Sequence, residues 1–292
     1  MAAIELTSAP SLGRLLPKAV LTGFTKKGGD PLPDTVYTRP GVRIDPEHLA
    51  AYDRVCEFRL TERLPVTYPH MLAFPLQVKL MTDGDFPFPL IGSVHLANRI
   101  TQHRPLTADE VLELWVHVEN LRDHAKGRQF DMVSEVLVDG EAVWTDISTY
   151  LRRGGGAGEK STDGVESAER SVPRASAVWR VPDDIGRRYG EVSGDRNPIH
   201  LYPLTAKLFG FPTAIAHGMW TKARCLAALE GRLPDAYSVD VRFKLPVLLP
   251  AKVGFAAERG AAPGDWRFDL FDARNGRPHV AGTVTGIGTD AD

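Results

Sequence analysis

Asp195 and His200 lie five positions apart in S-G-D-R-N-P-I-H, residues 193–200, on either side of an Asn-Pro step. A carboxyl and an imidazole at this spacing can hold and deprotonate a water molecule, or move a proton onto carbon, if the backbone brings them face to face. Pro198 removes a backbone donor and pushes Asn197 out of the right-handed helical region, so the stretch reads as a shaped loop rather than a helix interior. Gly194 permits backbone angles other residues avoid, and Asn197 can fold its side chain onto nearby main chain and orient the pair. Ser193 reads as a cap of local backbone; no base lies at nucleophile spacing from it, which argues against acyl-serine chemistry. A second cluster, A-H-G-M at 216–219, opens an apolar stretch of helical period. Free amides at a helix start carry partial positive charge, and Gly218 has no side chain to bar an approaching atom, so an oxygen that gains negative charge can be held there. His217 beside it reads as a supporting hydrogen-bond partner. Acid, imidazole and amide together suit addition or removal of water next to a carbonyl.

These groups need elements to hold them. Met219, Ala223, Leu226 and Ala227 recur at three- and four-residue spacing, which predicts a helix over 215–229 stopped near Gly231; only Lys222, Arg224 and Glu230 on it prefer water, so a sheet should wrap it. L-W-V-H-V-E-N, M-V-S-E-V-L-V, Y-S-V-D-V-R-F-K-L, K-V-G-F-A-A-E, W-R-F-D-L-F-D and H-V-A-G-T-V-T-G-I alternate or run apolar as strands do. The same order occurs twice. A polar helix ending near Tyr52 and the apolar stretch Tyr68–Met81 precede strands in the first half; D-D-I-G-R-R-Y-G around Tyr189 and the helix above precede them in the second. Pairing Tyr52 with Tyr189 and His70 with His217 leaves surplus residues in the second half, and SGDRNPIH falls within that surplus. The expected fold class is α+β, a curved antiparallel sheet around one central apolar helix, built twice.

Residues 154–175 are rich in Gly, Ser and charge and nearly devoid of large apolar side chains, which predicts a flexible linker between units 1–153 and 176–292. G-G-G-A-G-E-K-S within it is not a phosphate loop, because Glu159 stands where a glycine must precede the lysine. With 35 basic against 37 acidic residues and no long Lys/Arg run, neither nucleic acid nor a membrane is an expected partner. Cys56 and Cys225, each in an apolar stretch, read as reduced core thiols, and His48, His103 and His117 lack metal-ligand spacing. No secretory leader is evident at the N-terminus, and a cytoplasmic location is expected.

The run Tyr189–Ala223, with its Tyr, S-G-D-x-N-P-x-H, Gly210-Phe211 and A-H-G-M, resembles the hydratase motif of the MaoC-like family of (R)-specific enoyl-thioester hydratases and 3-hydroxyacyl-thioester dehydratases, whose members have the hot-dog fold. The resemblance implies a double hot-dog, a pseudo-dimer within one chain, with a homodimer left open, and an acyl thioester of coenzyme A or acyl carrier protein as substrate. It implies that Asp195 and His200 jointly activate water, that the Gly218 amide is the oxyanion hole, that Asn197, His217 and Ser193 support them, and that no metal or cofactor is needed. The first half departs from the pattern: it has no D-x-N-P-x-H, and Y-P-H-M replaces A-H-G-M, so it is expected to be a partner unit without its own active site. Phe74, Phe86 and Phe88 are candidates for an acyl tunnel, with ordinary core as the plainer reading. Two alternatives remain open: a hot-dog acyl thioesterase, and a non-catalytic acyl-binding subunit.

Overall fold

The computed structural model describes residues 2–16, 31–90, 92–154 and 173–288; most of the expected linker therefore lies outside the described residues. In the first half, strands β1 (Ala2–Glu5) and β2 (Thr35–Val42) precede helix α1 (Pro46–Cys56). The Asp45 carboxylate accepts the Glu47 amide at 2.9 Å and Pro46 occupies the first turn, which together start α1; Glu57 in the left-handed region ends it. Helix α2 (Tyr68–Thr82) is buried around most of its circumference, as a helix enclosed by a sheet must be. Strands β3 (Ser93–Gln102), β4 (Leu112–His124), β5 (Gly127–Val138) and β6 (Glu141–Arg153) follow.

The second half repeats this order with β7 (Ala177–Val181), helices α3 (Ile185–Ser193), α4 (Pro198–Leu201), α5 (Pro203–Leu208) and α6 (Gly218–Ala227), then β8 (Tyr237–Phe243), β9 (Ala251–Arg259), β10 (Trp266–Asp272) and β11 (Pro278–Gly286). The strands of the described residues join one 11-stranded sheet in the order β1-β2-β4-β5-β6-β3-β8-β11-β10-β9-β7. Read outward from the middle, β3-β6-β5-β4-β2 and β8-β11-β10-β9-β7 are the same sequence of equivalent strands. The halves meet where β3 and β8 pair antiparallel, from Ala97 opposite Arg242 to Gln102 opposite Tyr237. This is the double hot-dog, and the pseudo-dimer is internal to the chain.

Several expectations need correction. The second central helix begins at Gly218 rather than 215, because Ile215 is held in an isolated bridge to Leu248 and His217 adopts extended backbone as the N-cap. His70 lies inside the first turn of its helix whereas His217 precedes its own, so the two histidines are not in identical helical positions. Lys222 does not face water; it is fully buried, its ammonium bonded to the Asn98 side chain and to the Asn98 and Val239 carbonyls at 3.2 and 3.1 Å. Phe86 and Phe88 are core residues packed against Phe130, Phe86 edge-on and Phe88 stacked. Among the described residues no helix is long and apolar enough to cross a membrane.

Candidate active site

Helix α3 ends at Gly194, whose left-handed backbone (φ 73°) turns the chain sharply into Asp195. Ser193 Oγ accepts the Asp195 amide at 3.2 Å, the Asp195 carboxylate accepts the Asn197 amide at 3.1 Å, and Asn197 Oδ1 accepts the Ile199 amide at 3.4 Å. Asn197 is thereby the N-cap, and Pro198 the first residue, of the single-turn helix α4 that carries His200. The expected loop is thus partly helical, but Pro198 sits where proline is tolerated. Glycines make the close packing possible: a side chain at Gly186 would overlap the His200 carbonyl, and one at Gly190 would lie 3.0 Å from the Asp195 carbonyl. The spacing of these two glycines, four apart on α3, is a signal in G-R-R-Y-G that sequence reasoning passed over.

The structure brings Asp195, His200 and His217 together, with ligand-capable atoms of the three all within 4.8 Å of one another. His200 and His217 stack with ring centroids 3.6 Å apart. His200 Nδ1 donates to the Ile215 carbonyl at 2.8 Å, which leaves Nε2 as the basic nitrogen of the neutral ring. Burial, with His217 alongside, pushes the His200 pKa down to about 3 against the pull of Asp195, so the ring is neutral near neutral pH. His217 Nε2 donates to the Asp195 carbonyl at 2.9 Å and lies 3.7 Å from the Asp195 carboxylate, fixing the residue from above. Burial lowers the His217 pKa also. Tyr189, buried, packs its ring 5.0 Å from that of His217. The three donors are close enough to share a metal ion, but one nitrogen of each imidazole is already committed to a carbonyl.

Helix α6 points its N-terminus at this cluster: His217 is its N-cap and makes no side-chain capping bond, so the first-turn amides from Gly218 onward are available to a ligand. A side chain at Gly218 would meet the Phe243 ring at 3.1–3.3 Å, so glycine keeps the approach open. Two open grooves, of about 530 and 500 Å³, lie elsewhere, on the outer sheet face around Arg99 and Arg242 and between residues 31–35 and 117–121; neither includes a residue of the cluster. Cys56 and Cys225 are buried with thiol pKa values pushed up by desolvation, as expected of inert core thiols.

A central-helix double hot-dog with an acid-imidazole pair at a helix N-terminus defines a class, and comparison with known proteins specifies it. Residues 163–267 match the family model described as a MaoC like domain. Over 260 residues, 88% of this chain and 91% of the relative, the sequence is 41% identical to 3-hydroxyacyl-thioester dehydratase X of Mycobacterium tuberculosis. The crystal structure of HtdX from the same organism superposes with a TM-score of 0.76 at 40% identity, covering 86% of this chain and all of that one. A further M. tuberculosis protein, described as having a double hotdog fold, superposes at TM-score 0.51 and 12% identity over 85% of this chain and 93% of its own, a likeness of fold alone. The chain belongs to the MaoC-like family.

Proposed function

We propose that the protein is a hydro-lyase that adds water to trans-2-enoyl thioesters and removes it from (R)-3-hydroxyacyl thioesters in fatty-acyl metabolism. The observation that carries this is the convergence of Asp195 and His200 beside the amide end of α6. In hydration, Asp195 and His200 Nε2 hold a water between them; its oxygen attacks C3 as one proton passes to the pair. The thioester oxygen gains enolate charge, and on this reading the Gly218 amide holds it. Return of a proton to C2 from the same pair completes the addition, and because one pair serves both carbons the addition is syn. Asn197, His217 and Ser193 orient the pair through the bonds described above.

The name of the 41% identical relative supports a 3-hydroxyacyl thioester as substrate; coenzyme A or acyl carrier protein is the carrier this reading assigns to it. The division into units 1–153 and 176–292 joined by 154–175 fits the equivalent strand orders of the two halves, and all six site residues fall in the second. Incubation with crotonyl-CoA tests the reading: loss of enoyl absorbance without thiol release is expected. Thiol release would mark a thioesterase instead, and neither signal a binding subunit.

A further inference from the structure

The half that lacks the motif lines the same interior with polar groups. Strand β3 shifts register against β6 between His95 and Ala97. Bulges of this kind re-aim side chains and recur beside functional sites. Here the shift breaks the alternation that points Asn98 and Ile100 inward and turns His95 inward too. Its ring stacks on Tyr150 (centroids 4.6 Å apart, planes at 19°), leans on Phe243 at 4.9 Å and lies parallel to His70 at 6.5 Å. Phe243 is the ring that lies over Gly218, so His95 stands one aromatic ring from the N-terminus of α6. Tyr150, on its other face, senses the charges of both Asp146 and Asp195. His95 therefore belongs to the wall where the two halves face each other.

His95 Nε2 is buried and, among the described residues, has no hydrogen-bond partner, a rare condition for a polar atom in a folded chain. The ring itself is firmly placed. Behind it, His70 Nδ1 is bound to the Asp146 carboxylate, which also accepts Asn98 Nδ2 at 2.6 Å and Ser148 Oγ at 3.0 Å. Asn98 in turn takes the ammonium of Lys222 from α6, so the wall is tied to the helix that begins at Gly218. Burial, with His70 next to it, lowers the His95 pKa to about 3, which keeps the ring uncharged; its hydrogen bond to the Ala97 backbone favours a proton on the other nitrogen and leaves Nε2 as an acceptor.

On the reading proposed above, we infer that His95 is a substrate-recognition residue, its Nε2 accepting a hydrogen bond from an N–H or O–H group of the acyl thioester. An acyl thioester offers such donors in two places, the amides of its pantetheine arm and the 3-hydroxyl of the hydrated acyl group. The test measures binding to the Asp195→Asn protein, which turns the ligands over far more slowly than the measurement takes, using crotonyl-CoA, racemic 3-hydroxybutyryl-CoA and crotonyl-N-acetylcysteamine. Adding His95→Phe, which keeps the stacked ring and deletes the acceptor, should weaken binding about tenfold, and His95→Gln should recover most of it. Weakening shared by all three assigns the donor to the cysteamine amide that all three carry; weakening shared by both coenzyme A ligands but absent from the truncated thioester assigns it to the rest of the coenzyme A arm; weakening confined to the hydroxyacyl ligand assigns it to the hydroxyl. Unchanged binding of all three overturns the proposal, while a parent Asp195→Asn protein that binds none of them overturns the hydratase reading as well. Should His95→Phe not fold, the nitrogen-15 resonance of His95 Nε2 in histidine-labelled Asp195→Asn protein decides the matter: a ligand-induced shift is expected, and its absence overturns the assignment.

Discussion

Two side chains on one kinked segment carry the proposed chemistry, and each has a distinct assignment that kinetics can check. Asp195→Asn keeps the shape and removes the charge, and His200→Ala removes the base; each should lower kcat by about 10²–10⁴-fold, the usual size of an acid-base contribution, with the protein still folded. Near-normal turnover in either purified variant would remove the assignment. The pH profile adds a sharper check. His200 is held neutral to about pH 3 by burial, so hydration should show no fall between pH 8 and 5.5, whereas an acid limb with its midpoint near that of a free imidazole would mean that His200 is solvated and charged in the working enzyme. Both residues were legible in the sequence because their spacing, the Asn-Pro step and the glycines are local. The His200 bond to the Ile215 carbonyl and the polar wall of His70, His95 and Asp146 were not, since each depends on contacts between residues far apart in the chain and no local pattern announces them.

At the level of elements, helix α3 acts as a platform whose bare face lets the 195–200 segment lie directly upon it. Gly186→Ala should force the His200 carbonyl away, because the atom it meets is backbone and cannot rotate aside. We expect kcat to fall at least tenfold and Tm by several degrees, read by steady-state assay and thermal unfolding; wild-type behaviour in both would mean that the segment is free to move. The same scale explains what the hydrophobic pattern revealed of the fold. Strands β4, β5 and β8 to β11 were found because their inward residues are apolar, and the burial of Val239, Val241, Phe268 and Leu270 follows that pattern. Strands β3 and β6 were missed because their inward positions include Asn98, Gln102, Asp146 and Ser148, all buried polar residues that satisfy one another or reach across the β3–β8 seam. Lys222 was misread for the same reason: a lysine reads as solvent-facing until its three oxygen partners, none of them near in sequence, are known.

For the molecule as a whole, the buried histidines set the response to acid. Burial depresses the pKa values of His95 and His200 to about 3 and lowers those of His217 and His279, so below about pH 6.5 the unfolded chain takes up protons that the folded chain refuses. Stability therefore falls as pH drops, by about 1.4 kcal/mol per unit for each of His95 and His200, with His217 and His279 acting in the same direction. Asp53, raised by burial to about 7, gains a proton on folding over the same interval and offsets one of them. A Tm lower by about 5 °C or more at pH 5 than at pH 7 is the expected net result, and an unchanged Tm would show that these imidazoles are hydrated. The seam between halves leads to a second expectation. Beyond the β3–β8 ladder, Trp220 Nε1 donates to the Val55 carbonyl at 3.0 Å, His48 Nε2 bonds the Val192 carbonyl at 2.9 Å, Arg224 pairs with Glu57 at 2.6 Å, and Lys222 bridges both strands of the seam. All of these contacts bypass residues 155–172. A protein cut at a protease site inserted there should keep its fragments together on gel filtration and hydrate crotonyl-CoA at a rate within about threefold of the intact chain; fragments that separate and lose activity would show that the covalent connection, rather than the shared sheet, holds the wall of the first half against the motif of the second.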